Sequence, residues 1–180
     1  MLYRTAHVRA DQNGRTIFGL AVPYGVVSEV NDGYGPYREQ FAPGAFTRSI
    51  RERGHKVKLF VQHATERLPI GRAVELDERA DGLHAAFSVA RTRDGDEALE
   101  LVAAGVVDGF SVGFASLRDR KEADKTVTRV EASLREVSLV HSPAYPDALV
   151  GGVRSASTTP YLTVARARLE LLEATLHTED

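Results

Sequence analysis

The chain has 180 residues, 43% of them hydrophobic and 27% charged, with a formal net charge of −2. That length sets one domain as the default, and a balance so close to neutral gives no general pull toward nucleic acid or an anionic membrane. Cysteine is absent, which excludes disulfides and thiolate chemistry and fits a reducing compartment; no apolar run nears a membrane span, and the N-terminal stretch lacks an apolar signal core.

Residues 3–10 and 15–22 read as two short strands around the turn Asp11-Gln12-Asn13-Gly14. Residues 17–22 are nearly continuous apolar sequence, which predicts burial on both faces. Pro23 and Gly25 break the run, residues 30–36 form an exposed loop or hairpin tip, and residues 37–41 can form another strand. Residues 42–46 then lead into a short helix, with Pro43 in its first turn, Phe46 and Ile50 on one face and Gly54 at its end.

Residues 56–62 alternate, with Val57, Leu59 and Val61 facing one way, and deliver His63 at the strand's C-terminal end. After a loop at 64–69, residues 70–76 and 83–90 form a hairpin around 77–82. Residues 94–104 are the clearest internal helix, capped by Asp94 or Asp96, with an apolar stripe of Ala98, Leu101 and Val102 and a stop at Gly105. Residues 110–117 are a strand, 119–125 a charged turn and 126–141 a long strand closed by Pro143 and Pro146.

The organisation expected is a β domain over 1–152, a linker over 153–160 containing the small, polar run 155–160, and a C-terminal amphipathic helix over 161–180. Leu162, Ala165, Leu169, Leu172 and Leu176 lie along one side of that helix. Seven or eight strands that do not alternate regularly with helices argue against a parallel α/β sheet. They favour a mainly β fold, an antiparallel β-barrel surrounded by helices.

The stretch most suggestive of chemistry is Gly109-Phe110-Ser111-Val112-Gly113-Phe114. Gly109 frees the backbone before Ser111, and Gly113 leaves room on the same strand face. The competing reading is a small-residue strand that packs closely on a neighbour. The literal G-x-S-x-G pattern needs a strand before the serine and a helix after it; here the order is reversed, so the nucleophile elbow is rejected.

A serine nucleophile needs a base and a group that orients the base. Of six histidines, His7 and His177 are peripheral, His55 lies in a charged loop and His84 in a hairpin strand. His63 ends an apolar strand at a polar loop, where scaffolds often place reactive groups. Glu136 is the acid candidate: in a regular strand it shares a face with Leu134, Ser138 and Val140, and a carboxylate there is costly unless paired. An ion pair with an arginine such as Arg72, or a head held in water, is the alternative, and His141 is a rival third member. His55, His63 and Glu66 match no strong metal-ligand spacing, so no metal and no cofactor are expected. The basic run at 48–58 lacks aromatic interleaving and reads as a solvated face, so no nucleic acid partner is expected.

An ordered set of segments resembles a known family. It comprises Phe18-Gly19-Leu20-Ala21-Val22-Pro23-Tyr24-Gly25, Glu39-Gln40-Phe41-Ala42-Pro43-Gly44-Ala45-Phe46, Val61-Gln62-His63 with Pro69-Ile70-Gly71-Arg72, Gly109 to Phe114, and Glu136-Val137-Ser138-Leu139-Val140 with Pro143-Ala144-Tyr145-Pro146. The set resembles the tailed-phage prohead maturation proteases, serine endopeptidases related in fold to herpesvirus assemblin, over roughly residues 15–150. The resemblance implies an assemblin-like barrel, Ser111 as nucleophile, His63 as general base and Glu136 as third member, where the herpesvirus relatives use a second histidine. It also implies an oxyanion hole. The herpesvirus relatives place an arginine in the loop after the third residue, but residues 142–148 contain none; backbone N–H groups of that loop or a displaced arginine such as Arg72 are the candidates.

The task implied is cleavage of the scaffolding segment of the major capsid protein precursor, and of the enzyme itself, inside the assembling prohead in the host cytoplasm. The terminal helix is then a removable targeting segment or a homodimer contact. The non-enzymatic alternative is a capsid scaffold or capsid-associated binding domain on the same fold.

Overall fold

The computed structural model describes residues 2–7, 9–10, 15–31 and 35–141, with side chains from residue 15 onward. The expected linker at 153–160 and helix at 161–180 lie outside the described residues. Ten strands and two helices follow in order: β1 (Leu2–His7), β2 (Arg9–Ala10), β3 (Thr16–Pro23), β4 (Ser28–Asn31), β5 (Pro36–Phe41), α1 (Thr47–Arg53), β6 (Lys58–Val61), β7 (Gly71–Arg79), β8 (Gly82–Val89), α2 (Arg93–Ala103), β9 (Gly109–Lys121) and β10 (Val127–Val140).

The fold is mainly β, and β10 organises it. Twelve of its 14 residues pair antiparallel with β9, while its first and last thirds also pair in parallel with β5 and β6. The hydrogen-bonded path runs β1-β9-β10-β6-β7-β8-β3-β2, with β5 on β10 and β4 on β5 as a branch. The path is open. Its two ends, β1 and β2, are successive stretches of one N-terminal segment, so the sheet curls back toward its start, with no closing ladder between them among the described residues.

The core lies inside this curl. Phe41 packs on Phe46 and Phe114 with ring centroids 5.2 and 5.0 Å apart, and Phe87 meets Phe110 at 5.7 Å. Ile17, Leu59, Leu83, Leu134 and Leu139 complete its centre, each removing a side chain worth about 1.5–3 kcal/mol of transfer energy from water.

Several expectations change. In β3, Phe18 and Leu20 are only half-buried, because one face of this near-end strand is covered and the other is partly open. Residues 28–31 form a strand not expected from sequence, paired from Ser28↔Glu39 to Asn31↔Pro36, which favours the hairpin-tip reading of 30–36 over the plain loop. Pro43 sits in the turn before α1, and Gly54 starts a short 3₁₀ turn with ordinary right-handed φ. The second hairpin keeps pairing to Arg79↔Gly82, shortening its turn to two residues. Thr92, not Asp94 or Asp96, caps α2: its Oγ1 accepts from the Gly95 N–H at 3.2 Å, while both aspartates occupy the first turn, where negative charge suits the helix dipole. The buried face of α2 is Ala98, Leu99 and Val102, with Leu101 half-buried beside them.

Candidate active site

The two faces of β9 separate packing from chemistry. Phe110, Val112 and Phe114 point into the core and are fully buried. Gly109, Ser111 and Gly113 therefore lie on the opposite face. Across the antiparallel ladder, Ser111 stands opposite Ser138 and Gly113 opposite Glu136. Directly opposed residues share a face, so Ser111, Ser138 and Glu136 are neighbours on the side away from the phenylalanines. With no side chain at Gly113, the Glu136 carboxylate meets no bulk from its opposite residue.

A register shift between Leu134 and Glu136 makes this arrangement. Leu134 pairs with Phe114 and belongs to the core, while Glu136 pairs with Gly113 on the other face. The extra residue, Arg135, is exposed. The regular-strand expectation that Leu134 and Glu136 share a face is thus wrong: a β-bulge inserts one residue and inverts the alternation.

His63 comes from a strained turn. β6 ends at Val61, and the next two residues, Gln62 and His63, take left-handed φ values of 51° and 57°, sparsely populated for side chains other than glycine. The turn is fixed by backbone bonds from Gln62 N–H to the Leu139 carbonyl at 2.9 Å and from Ala64 N–H to the Val61 carbonyl at 3.1 Å. This places His63 Nδ1 2.8 Å from Glu136 Oε1. Glu136 is 2% exposed, and its second oxygen accepts from the Ser138 hydroxyl at 2.7 Å. The Ser138 oxygen in turn accepts from the His63 backbone N–H at 3.2 Å.

The buried carboxylate therefore has a partner at each oxygen, which answers the cost of burying it. A carboxylate on Nδ1 selects the tautomer with its proton there and leaves Nε2 as the basic nitrogen. Ser111 itself is 4% exposed.

The other candidates are elsewhere. The Nδ1 of His141 pairs with Gln62 Nε2 at 2.7 Å, so this histidine braces the turn from outside and does not bond Glu136. His84 pairs with both Asp81 oxygens at 3.0 Å, which holds the Asp81 carboxyl below its usual range. His55 is exposed in the 3₁₀ turn. Arg72 is exposed on β7 opposite Lys58 and Ser88; no bond from it to Glu136 is found among the described residues. The loop 142–148, named for backbone oxyanion donors, lies outside the described residues. Ser138 is the residue that sequence reasoning placed beside Glu136 without giving it a role. Its only signal is the spacing Glu136-x-Ser138 on one strand.

A cleft of about 260 Å³ opens beside the turn. The two residues flanking His63, Gln62 and Ala64, line it together with Phe60, Leu68, Ile70 and Leu101. Leu68 is 90% exposed there.

A carboxylate-oriented histidine beside a strand that carries a serine is an arrangement that serine hydrolases of several unrelated folds use, so the class is decided by comparison with known proteins. The family model for caudovirus prohead serine proteases matches residues 4–162, and the chain belongs to that family. It is 32% identical over 118 residues to the prohead protease of Enterobacteria phage HK97, covering 63% of this chain and 52% of that protein. The chain thus spans about half the length of that curated relative. In fold it is similar to the capsid assembly protease gp21 of bacteriophage T4, with a TM-score of 0.55 and 11% identity over 78% of this chain and 97% of that one.

Proposed function

We propose that this chain is a serine endopeptidase of capsid maturation, with Ser111 as nucleophile, His63 as general base and Glu136 as the group that orients the base. The observation that carries the reading is the 2.8 Å bond between His63 Nδ1 and a buried Glu136, on the sheet face that also presents Ser111. His63 Nε2 takes the Ser111 proton as the hydroxyl oxygen attacks a peptide carbonyl, and the resulting imidazolium faces Glu136. Collapse of the tetrahedral intermediate passes that proton to the leaving amine. Water, deprotonated by the same nitrogen, then releases the acyl group.

The substrates that fit the family are the scaffolding segment of the capsid protein precursor and this chain itself, whose self-cleavage after Gly152 would detach residues 153–180. The place is the assembling prohead within the host cytoplasm, and a homodimer is compatible with the reading. Consecutive placement of β1 and β2 at the two ends of the strand path supports a barrel of the assemblin kind as the finer description of the fold. We place an apolar substrate side chain in the cleft beside His63, since both neighbours of that histidine line it.

Co-expression with the capsid precursor, followed by sequencing of new termini, tests the reading. Wild type should generate them and Ser111→Ala should not. Unchanged cleavage by Ser111→Ala would remove this serine from the chemistry. Absence of cleavage by the wild-type chain would favour a non-catalytic scaffold on the same fold.

A further inference from the structure

Three hydrogen bonds close a ring: His63 Nδ1 to Glu136 Oε1, Ser138 Oγ to Glu136 Oε2, and His63 N–H to Ser138 Oγ, at 2.8, 2.7 and 3.2 Å. The ring contains one residue to which the triad gives no work. We infer that Ser138 is a positioning residue for catalysis: one hydroxyl that simultaneously orients the Glu136 carboxylate and holds the backbone of the strained turn that carries His63. The inference rests on the assignment of Ser111, His63 and Glu136 above.

The chemistry of the hydroxyl forces this division. A serine has one O–H to give and lone pairs with which to accept. The Ser138 proton goes to Glu136, so the hydroxyl cannot also donate to Ser111, although the two serines face each other across the ladder. Its lone pair receives the His63 amide. Ser138 is 0% exposed, so no water substitutes for it at the surface. Two adjacent left-handed residues, Gln62 and His63, need outside restraint to persist; the His63 amide bond supplies part of it at the catalytic residue itself. Loss of the hydroxyl would remove one hydrogen bond from Glu136 Oε2 and one from the His63 amide at the same time. The imidazole keeps its bond to Glu136 Oε1 but is then held less firmly, because the carboxylate and the backbone beneath the ring each lose a restraint.

A fluorophosphonate probe reads the reactivity of the serine without requiring knowledge of the cleavage sequence. The intact protein is labelled with wild-type, Ser111→Ala, Ser138→Ala and Ser138→Thr chains, and thermal melting is followed in parallel. Ser138→Ala should fall about tenfold or more in labelling rate, the factor expected from one lost hydrogen bond to a charged group. Ser138→Thr, which restores an oxygen at the same position, should recover most of that loss.

A second readout is independent of labelling. The proton on His63 Nδ1 should give a downfield NMR resonance in the wild type that broadens or moves upfield in Ser138→Ala and returns in Ser138→Thr. If Ser138→Ala labels at the wild-type rate with its His63 resonance in place, the inference is wrong, even where Ser111→Ala abolishes labelling and the triad stands. If Ser111→Ala still labels, the underlying assignment fails instead. A Ser138→Ala chain that melts like wild type but labels slowly supports positioning over a merely structural role. Equal loss in the alanine and threonine variants, with a matching collapse in melting temperature, overturns it.

Discussion

At the residue scale, Glu136 and His141 make the sharpest contrast. Both were candidates to orient His63, and only Glu136 bonds its imidazole; His141 bonds Gln62. Glu136→Gln keeps the shape but replaces an acceptor-only oxygen with an amide that can donate, so it can favour the wrong tautomer and cannot balance the imidazolium. Its kcat on a capsid-derived peptide should fall by about 10²–10⁴, and His141→Ala should cost far less. The reverse order would transfer the orienting role to His141.

The stretch around Ser111 was conspicuous in sequence because two glycines and a serine are small among apolar neighbours. What could not be read there is that Glu136 faces the same side. That depends on the bulge at Arg135, which arises from the register of β10 against β9. A period-two pattern contains no mark of one inserted residue.

At the element scale, the parallel pairing of β10 with β5 and β6 was equally hidden, because it joins segments about 75–90 residues apart. Local signals did reveal the hairpins and α2, whose turn residues and apolar stripes lie within a few positions of one another. The β5–β10 pairing is secured by a buried charge cluster that no local pattern announces. Arg129 reaches Glu39 at 2.6 Å, Asp119 at 2.7 Å and the Tyr37 hydroxyl at 2.9 Å, with its guanidinium 5.8 Å from the centre of the Phe114 ring. Glu39 is 0% exposed.

Arg129→Met removes the guanidinium that bonds that buried carboxylate and should cost about 3–5 kcal/mol in urea unfolding. Adding Glu39→Leu removes the buried charge as well and should restore a good part of the loss. Additive losses in the double variant would show that the pair is not coupled.

The cleft beside the His63 turn has a separate test at this scale. Leu68 is almost fully exposed on its lining, so Leu68→Asp should change stability by no more than about 0.5 kcal/mol. It should raise KM for a peptide with an apolar residue near the scissile bond, while the rate of fluorophosphonate labelling stays unchanged. Unaltered KM would place the substrate elsewhere.

At the scale of the whole molecule, stability at high pH is set in part where three elements meet. Tyr24, just past β3, donates its hydroxyl to Glu78 on β7. The same carboxylate receives the Thr47 hydroxyl and, at 2.9 Å, the Phe46 N–H at the start of α1. Burial first, and then the neighbouring Glu78, push the Tyr24 phenol far above its ordinary value. A folded-state value raised above the unfolded one makes the contribution complete below the unfolded pKa, about pH 10. Above that pH the unfolded chain releases this proton and the folded chain retains it, so stability falls as pH rises.

Tyr24→Phe keeps the ring but loses the bond to Glu78. It should therefore be less stable than wild type at pH 7, by about 1–3 kcal/mol. Phenylalanine has no proton to lose, so the difference between the two chains should shrink steadily from about pH 10 upward. Urea unfolding of both at intervals from pH 7 to 11 measures this difference directly. A constant gap across that range would mean that Tyr24 ionises as readily in the folded chain as in the unfolded one, and that the junction of β3, β7 and α1 does not hold its proton.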